Sequence, residues 1–175
     1  MNEPIQKSVK QRLVYDFFYP GILGSILYDI LPIEFSVIFF IKLTMVLFFG
    51  IDYFHLYFLM DKKFKQLEKD TWTYVGFDLL VAISIFVGFR YSGTNTDVSL
   101  FSMAIIPMWF LLYSAKLKYN IPFHLCYTIS CILISLFIYK YKYYLFNYNA
   151  TILIFFIIMT LVYLVYLINQ VRQIK

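Results

Sequence analysis

Two long apolar segments stand at the centre of the chain: IEFSVIFFIKLTMVLFFGIDYFHLYFLM at 33–60 and TWTYVGFDLLVAISIFVGF at 71–89. The charged turn DKKFKQLEKD at 61–70 joins them. A helix needs about 20 predominantly apolar residues to cross a bilayer, and both segments have about that length or more. The pair therefore predicts two antiparallel membrane-spanning helices.

The composition of the whole chain is also that of a membrane protein. Hydrophobic residues make up 62% of the 175 residues and charged residues only 14%, whereas soluble domains are typically about 45–50% apolar and about 25% charged. The formal net charge of +5 comes largely from Lys and Arg between apolar segments, where cytoplasmic loops carry them. We expect the lipid bilayer as a partner and no nucleic acid.

Four further apolar runs flank the central pair, so the sequence predicts an all-α polytopic membrane bundle of about six spans. The spans lie approximately at 13–31, 33–60, 71–89, 98–115, 122–139 and 148–168. Residues 1–175 then form a single membrane domain. The first run contains two Asp residues and a Pro-Gly step, which leaves an alternative of five spans preceded by a re-entrant or interfacial helix.

The distribution of basic residues distinguishes these two arrangements. With six spans, eleven Lys and Arg residues lie on the side that holds both termini and three on the other. If the first run does not span, the division weakens to eight against six. Because the positive-inside rule favours the stronger bias, the sequence predicts six spans with both termini cytoplasmic, in a bacterial inner membrane.

Ionisable side chains occur at membrane depth within the central pair. The first segment contains Lys42, Asp52 and His55, and the second contains Asp78. A charge at this depth costs roughly 2.5–3.5 kcal/mol on insertion scales, which makes each residue a functional candidate. With a helical rise of about 1.5 Å per residue, the two carboxylates reach a similar depth, roughly 12 Å inside the cytoplasmic boundary.

Two neighbours join these carboxylates on their helix faces. His55 shares a face with Asp52, and Tyr74 shares one with Asp78. Such a set can bind a cation or relay protons. The alternative is that the same side chains only join helices through interhelical hydrogen bonds.

Four other positions complete the predicted set. Lys42 lies near mid-membrane and is expected to face a pore or an acidic partner rather than lipid. Gly50 and Pro107 are predicted to bend or gate their helices, since Pro removes a backbone donor. His124 is expected at the membrane interface, at the cytoplasmic end of its span.

The sequence carries no enzymatic signature. His55 and His124 are its only histidines, and HExxH and CxxC motifs are absent, so the common metal and redox motifs are excluded. We expect no metal, no cofactor and no catalytic residue. A membrane-embedded enzyme is therefore only the third interpretation.

The leading interpretation is a small channel or transporter for an ion or small solute, with the ionisable residues along its path. Six short spans leave little room for a pore within one subunit, so we expect a homo-oligomer with the pore between subunits. The second interpretation is a non-transporting assembly or regulatory subunit with an unidentified membrane partner, or a membrane-perturbing effector.

Overall fold

The computed structural model describes residues 13–31, 33–58, 71–118 and 120–174. Within these ranges the chain is helical and has no strand, which confirms the predicted all-α class. A π-helical turn, Leu13–Phe18, is followed by α1 (Tyr19–Asp29), α2 (Val37–Phe58), α3 (Thr71–Tyr91), α4 (Thr96–Ala104), α5 (Ile106–Leu117), α6 (Ile121–Lys140) and α7 (Tyr148–Ile174). The predicted turn at 61–70 lies outside the described residues.

Four stretches of the described residues are helical, long and apolar enough to cross a membrane. They are Val37–Phe54, Thr96–Lys116, Ile121–Lys140 and Tyr148–Gln170. Large apolar side chains on the outside of the bundle are exposed, as at Leu133 and Phe137, each 60% accessible. Apolar surface of this extent calls for a hydrocarbon environment, so the chain is an integral membrane protein.

Polar caps move two helix starts away from the predicted bounds. Helix α2 begins at Val37, four residues later than predicted, because the Ser36 hydroxyl accepts a hydrogen bond from the Phe39 N–H at 3.1 Å. Helix α4 begins at Thr96, two residues earlier than predicted, because the Asn95 side chain accepts from the Val98 N–H at 3.3 Å. Both residues satisfy donors that the first turn of a helix leaves unpaired.

The fourth predicted span is not a single helix, because it is interrupted at Ile105. Pro107 occupies the first turn of α5 and has no N–H to donate back to the carbonyl of Met103. The Met108 N–H instead donates to the carbonyl of Ile105 at 3.0 Å. Gly50, in contrast, lies within the uninterrupted helix α2, where an added Cβ would meet no atom of the other described residues within 4 Å.

Helix α2 lies at the centre of the bundle, where it packs against α1, α3 and α7. Helices α4 and α5 cover α3 and also contact α6. The core is rich in aromatic and sulfur-containing side chains, and the largest of these that are fully buried are Tyr19, Met45, Phe48, Phe49, Phe89, Met103, Phe156 and Tyr163. Packing of such side chains, rather than exclusion of water, holds helices together within lipid.

Ion pairs join the helices at one end of the bundle, which we call the Arg90 end. Arg90 pairs with Asp29 at 3.2 Å, connecting the last turns of α3 and α1. Lys142 pairs with Asp97 at 2.8 Å, and the Tyr148 hydroxyl also donates to Asp97. At the opposite end, the Asn120 end, α2 and α5 finish and α6 begins.

The Lys142–Asp97 pair predicts a small stability contribution that depends on pH. The pKa of Lys142 is raised above its ordinary value of 10.5 because the ammonium group donates a hydrogen bond to the Asp97 carboxylate. A pKa raised by folding gives stability that is complete below the unfolded value and is lost as the pH rises through the folded one. We expect Lys142→Gln to lower the melting temperature by a few degrees at most near neutral pH.

The measurement is thermal unfolding of both proteins in detergent at several pH values. The difference between wild type and Lys142→Gln should stay constant up to about pH 9 and shrink above about pH 10.5. A difference that persists unchanged at strongly alkaline pH would contradict this role of the charged ammonium group.

Candidate functional site

The central feature of the site is the carboxylate of Asp52, which is only 1% accessible. Helix α2 places this side chain between α1 and α7. The Tyr163 hydroxyl of α7 donates to Oδ1 at 2.9 Å, and the Tyr19 hydroxyl of α1 lies 3.4 Å from Oδ2. Hydroxyl groups from two other helices thus reach both oxygens of one carboxylate.

Tyr19 connects Asp52 to the backbone of Asp78, the other predicted acidic residue. Its hydroxyl lies 3.1 Å from the main-chain carbonyl of Asp78 on α3, and the side chain of Asp78 is itself buried, at 4% accessibility. Because a hydroxyl carries one proton, Tyr19 can donate to the Asp78 carbonyl or to Asp52. The sequence prediction that Asp52 and Asp78 lie at a similar depth agrees with this bridge.

Aromatic rings fix the orientation of both tyrosines. The Tyr163 ring stacks on Phe48, with centroids 5.2 Å apart, and on Phe110, with centroids 4.9 Å apart. The Tyr19 ring stacks on Phe49 at 5.0 Å. Stacked aromatic neighbours of this kind restrict the rotamers of the two tyrosines, so both hydroxyls stay close to the Asp52 carboxylate.

Burial of the Asp52 carboxylate lowers the stability of the fold, which argues against a purely structural role for this residue. Removing a carboxylate from water costs several kcal/mol even after relaxation, and hydrogen bonds offset this only when they are well placed. Ionisable groups buried at membrane depth typically mark an ion or proton path. Asp52 is therefore the strongest functional candidate among the described residues.

A second buried polar group, the His124 cluster, lies toward the Asn120 end and consists of Asn120, His124 and Tyr166. His124 Nε2 lies 3.1 Å from the Tyr166 hydroxyl, and Asn120 Nδ2 donates to the same hydroxyl at 3.3 Å. His124 is only 5% accessible. His124 lies in the first turn of α6, where the sequence placed it at the end of its span, and α7 and the ring of Phe123 bury its side chain.

One nitrogen of His124 is left without a hydrogen-bond partner in the described part of the structure. Because Tyr166 accepts from Asn120, its own proton can be donated to Nε2, and the remaining proton of a neutral imidazole then sits on Nδ1. Nδ1 is buried and unpaired among the described residues. Such a group costs about 1–3 kcal/mol, and it calls for a bound water or a function.

Lys42 lies in a different part of the bundle. Its ammonium nitrogen is 3.5 Å from the main-chain carbonyl of Asp29 and 5.0 Å from the centroid of the Phe89 ring, at the Arg90 end. The ten residues between Lys42 and Asp52 correspond to about 15 Å along α2. The structure therefore does not bring Lys42 into the Asp52 site.

The side chains of His55 and Tyr74, which the sequence also placed here, lie outside the described part of the structure. The tyrosines that contact Asp52 are instead Tyr19 and Tyr163, which sequence reasoning missed. The chain has 17 tyrosines, and the sequence alone does not distinguish the two that contact Asp52 from the others. Depth alone offers a signal, because Tyr163 lies seven residues, or about 10 Å, before the end of its candidate span at Gln170.

Metal binding has no obvious location among residues 13–31, 33–58, 71–118 and 120–174, which contain no group of three His, Cys, Asp or Glu side chains arranged around one point. A comparison with known proteins finds no matching family model, no similar curated protein and no similar solved structure. Function is therefore argued from the site alone.

Proposed function

We propose that this membrane protein moves a cation across the bilayer and that Asp52 carries the cation through the core. The observation that supports this most strongly is a fully buried carboxylate held by hydroxyls from two other helices. A carboxylate can hold a cation and release it when its donors rearrange.

The proposed topology has six spans with both termini in the cytoplasm of a bacterial inner membrane. Helix α1 supports it, because Tyr19 contacts Asp52 near one end of the bundle and Asp29 pairs with Arg90 at the other. From Tyr19 to Asp29 helix α1 rises about 15 Å, half of a hydrocarbon core of about 30 Å, and the π-helical turn Leu13–Phe18 extends it further. The few basic residues of the Arg90 end include two that are paired with carboxylates, which suits the outer side.

The proposal places the Asp52 step inside one protomer, since the hydrogen-bond partners described for this carboxylate come from the same chain. Association into a homo-oligomer remains part of the proposal, with Lys42 and the exposed apolar faces of α6 and α7 serving assembly or lipid contact. Cross-linking through Cys126, which is exposed on α6, gives a direct measure of association.

Ion flux in proteoliposomes tests the proposed function. We expect vesicles with the wild type to pass a cation, and Asp52→Asn to reduce this flux at least about tenfold, because the amide cannot change its charge. Asp97→Asn is the matched control, since it makes the same chemical change in a carboxylate at the Arg90 end. Equal flux from wild type and Asp52→Asn vesicles, or none from either, would rule the proposal out.

The second candidate function is a non-transporting assembly or regulatory subunit. The observation that favours it is that Asp52 joins α1, α2 and α7 by hydrogen bonds. Polar side chains that only stabilise helix packing make the same kind of contact. In that case neutralising Asp52 would change stability or association and leave no transport to lose.

A further inference from the structure

Phe110 of α5 contacts both the Asp52 site and the His124 cluster. Its ring stacks on Tyr163, with centroids 4.9 Å apart and an angle of 11° between the planes. It also meets the His124 ring edge-on, with centroids 6.4 Å apart. The two buried polar groups are therefore neighbours, since Tyr163 and Tyr166 also stack on each other with centroids 6.5 Å apart, and Phe110 is the apolar ring that touches both.

The His124 cluster is suited to supply protons. Its members are an imidazole, a phenol and an amide connected by hydrogen bonds, and each ring nitrogen of an imidazole can hold or release a proton. The unpaired Nδ1 gives a buried water a partner. The cluster lies at the start of α6, where this helix approaches the surface at the Asn120 end.

The helix that contains Phe110 begins at a break only a few residues earlier. The helix break at Ile105 separates α5 from α4, and Thr128 of α6 donates to the carbonyl of Pro107 at 2.9 Å. The same hydroxyl lies 2.7 Å from the carbonyl of His124. Thr128 therefore couples the start of α5 to His124, and helix interruptions of this kind allow a half-helix to shift as a unit.

We propose that the cation carried by Asp52 is a proton, that it arrives through the His124 cluster, and that Phe110 is the gate between them. This inference rests on the proposed function and names its substrate. The Tyr163 hydroxyl turns its hydrogen toward Asp52 and the Tyr19 hydroxyl can do so as well, whereas a metal cation would need oxygen lone pairs at these positions. When Phe110 moves, the imidazolium of His124 gives up an N–H proton, admitted water relays it, and an O–H bond forms at Asp52.

Titratable groups from several helices border this route, and Tyr127 of α6 and Tyr166 of α7 also lie close enough to Tyr163 to interact with it electrostatically. Asp52 faces Tyr19 from α1 and Tyr163 from α7, with the buried Asp78 on α3 beyond Tyr19. His124 faces Tyr166 from α7, and α5 presents Phe110. The protonation of Asp52 and of His124 can therefore be followed as two steps along one route.

A pH jump followed by infrared spectroscopy tests the inference. The Asp52 carboxyl band is identified by subtracting the spectrum of Asp52→Asn, and its rate of protonation is measured on the full-length protein in lipid. We expect Phe110→Ala to accelerate this rate about tenfold, equivalent to about 1.4 kcal/mol in the barrier. Phe110→Leu, which preserves the packing better, should give a smaller acceleration.

His124→Gln is the second arm, because glutamine can still bond to Tyr166 yet does not take up a proton. We expect it to slow Asp52 protonation about tenfold and to remove most of the acceleration in Phe110→Ala. Phe101→Ala is the control, since Phe101 is partly exposed on α4 and meets Tyr139 edge-on away from the site. A protonation rate that does not change in Phe110→Ala, or in His124→Gln, overturns the inference.

Flux measured on the same proteins keeps the two proposals distinct. Flux lost in Asp52→Asn but equal in wild type and His124→Gln would overturn the inference and leave the proposed function standing. Asp52 protonation that depends on His124 and Phe110, in a protein that passes no cation of any kind, would overturn the proposed function and support only the access route to Asp52.

Discussion

The double variant Asp52→Leu/Tyr163→Phe is expected to be about as stable as the wild type, although each single substitution destabilises the fold. Tyr163→Phe removes the closer of the two hydroxyls that contact Asp52, and hydrogen bonds to charged groups contribute about 1.5–3 kcal/mol. Asp52→Leu leaves the Tyr163 hydroxyl buried without that acceptor, at a cost of about 1–3 kcal/mol.

Removing both partners avoids both penalties. Replacing two paired buried polar groups by apolar groups of similar shape is often neutral or stabilising. Tyr19 is not orphaned by the change, because its hydroxyl still lies 3.1 Å from the Asp78 carbonyl. We therefore expect a coupling energy between the two positions close to the sum of the single losses, about 2.5–6 kcal/mol.

The free energy of unfolding in mixed micelles, measured for the wild type, both single variants and the double variant, gives this coupling. Thr160→Val combined with Asp52→Leu is the control pair, since the Thr160 hydroxyl donates to the carbonyl of Phe156 in its own helix. The control pair should be additive within about 0.5 kcal/mol. Additive losses at Asp52 and Tyr163 as well would show that their hydrogen bond does not hold the helices together.

The double variant also separates the two candidate functions. If Asp52 only fastens helices, a stable double variant should keep whatever the protein does, including its association with partners. If Asp52 carries the cation, the double variant should fold normally and pass none. A stable double variant with wild-type flux would therefore refute transport through Asp52 without any appeal to misfolding.

The sequence could predict the depth of Asp52 and Asp78, but it could not predict their partners. Depth follows from the rise per residue and the helix ends, and both residues are buried, with the Tyr19 hydroxyl near the Asp52 carboxylate and the main-chain carbonyl of Asp78. The contacts of Asp52 with Tyr19 and Tyr163 span 33 and 111 residues of sequence. Which helices become neighbours depends on packing across the whole bundle, and no local pattern encodes it.

The missed part of the site has a similar physical origin. Phe110 is one of 20 phenylalanines, and a phenylalanine in a membrane span is ordinarily a lipid-facing or core residue. His124 lies next to a predicted helix start, which suggested the interface. Its burial depends on α7 returning beside α6, a contact between residues 42 positions apart. Pro107 did mark the interrupted span, because the missing N–H acts locally.

The N-terminal segment predicts an all-or-none labelling result that distinguishes six spans from five. Helix α1 connects the level of Asp52 with the level of Arg90, so the proposed six-span topology puts the chain before Leu13 on the same side as the 61–70 turn. With a re-entrant or interfacial segment instead, the N-terminus would lie on the opposite side. The two arrangements differ in the side that a single residue faces.

Single cysteines in a background of Cys126→Ala and Cys131→Ala read this side directly. We expect Ser8→Cys and Gln66→Cys to react only after the membrane is opened, when intact cells are treated with an impermeant thiol reagent. Tyr144→Cys, at an exposed position between α6 and α7, should react in intact cells and serves as the opposite-side control. The basic residues divide eleven against three, as the positive-inside rule favours, only if α1 crosses the membrane. Labelling of Ser8→Cys in intact cells would therefore overturn the six-span topology. It would also contradict the proposed position of the Tyr19–Asp52 contact near the cytoplasmic side.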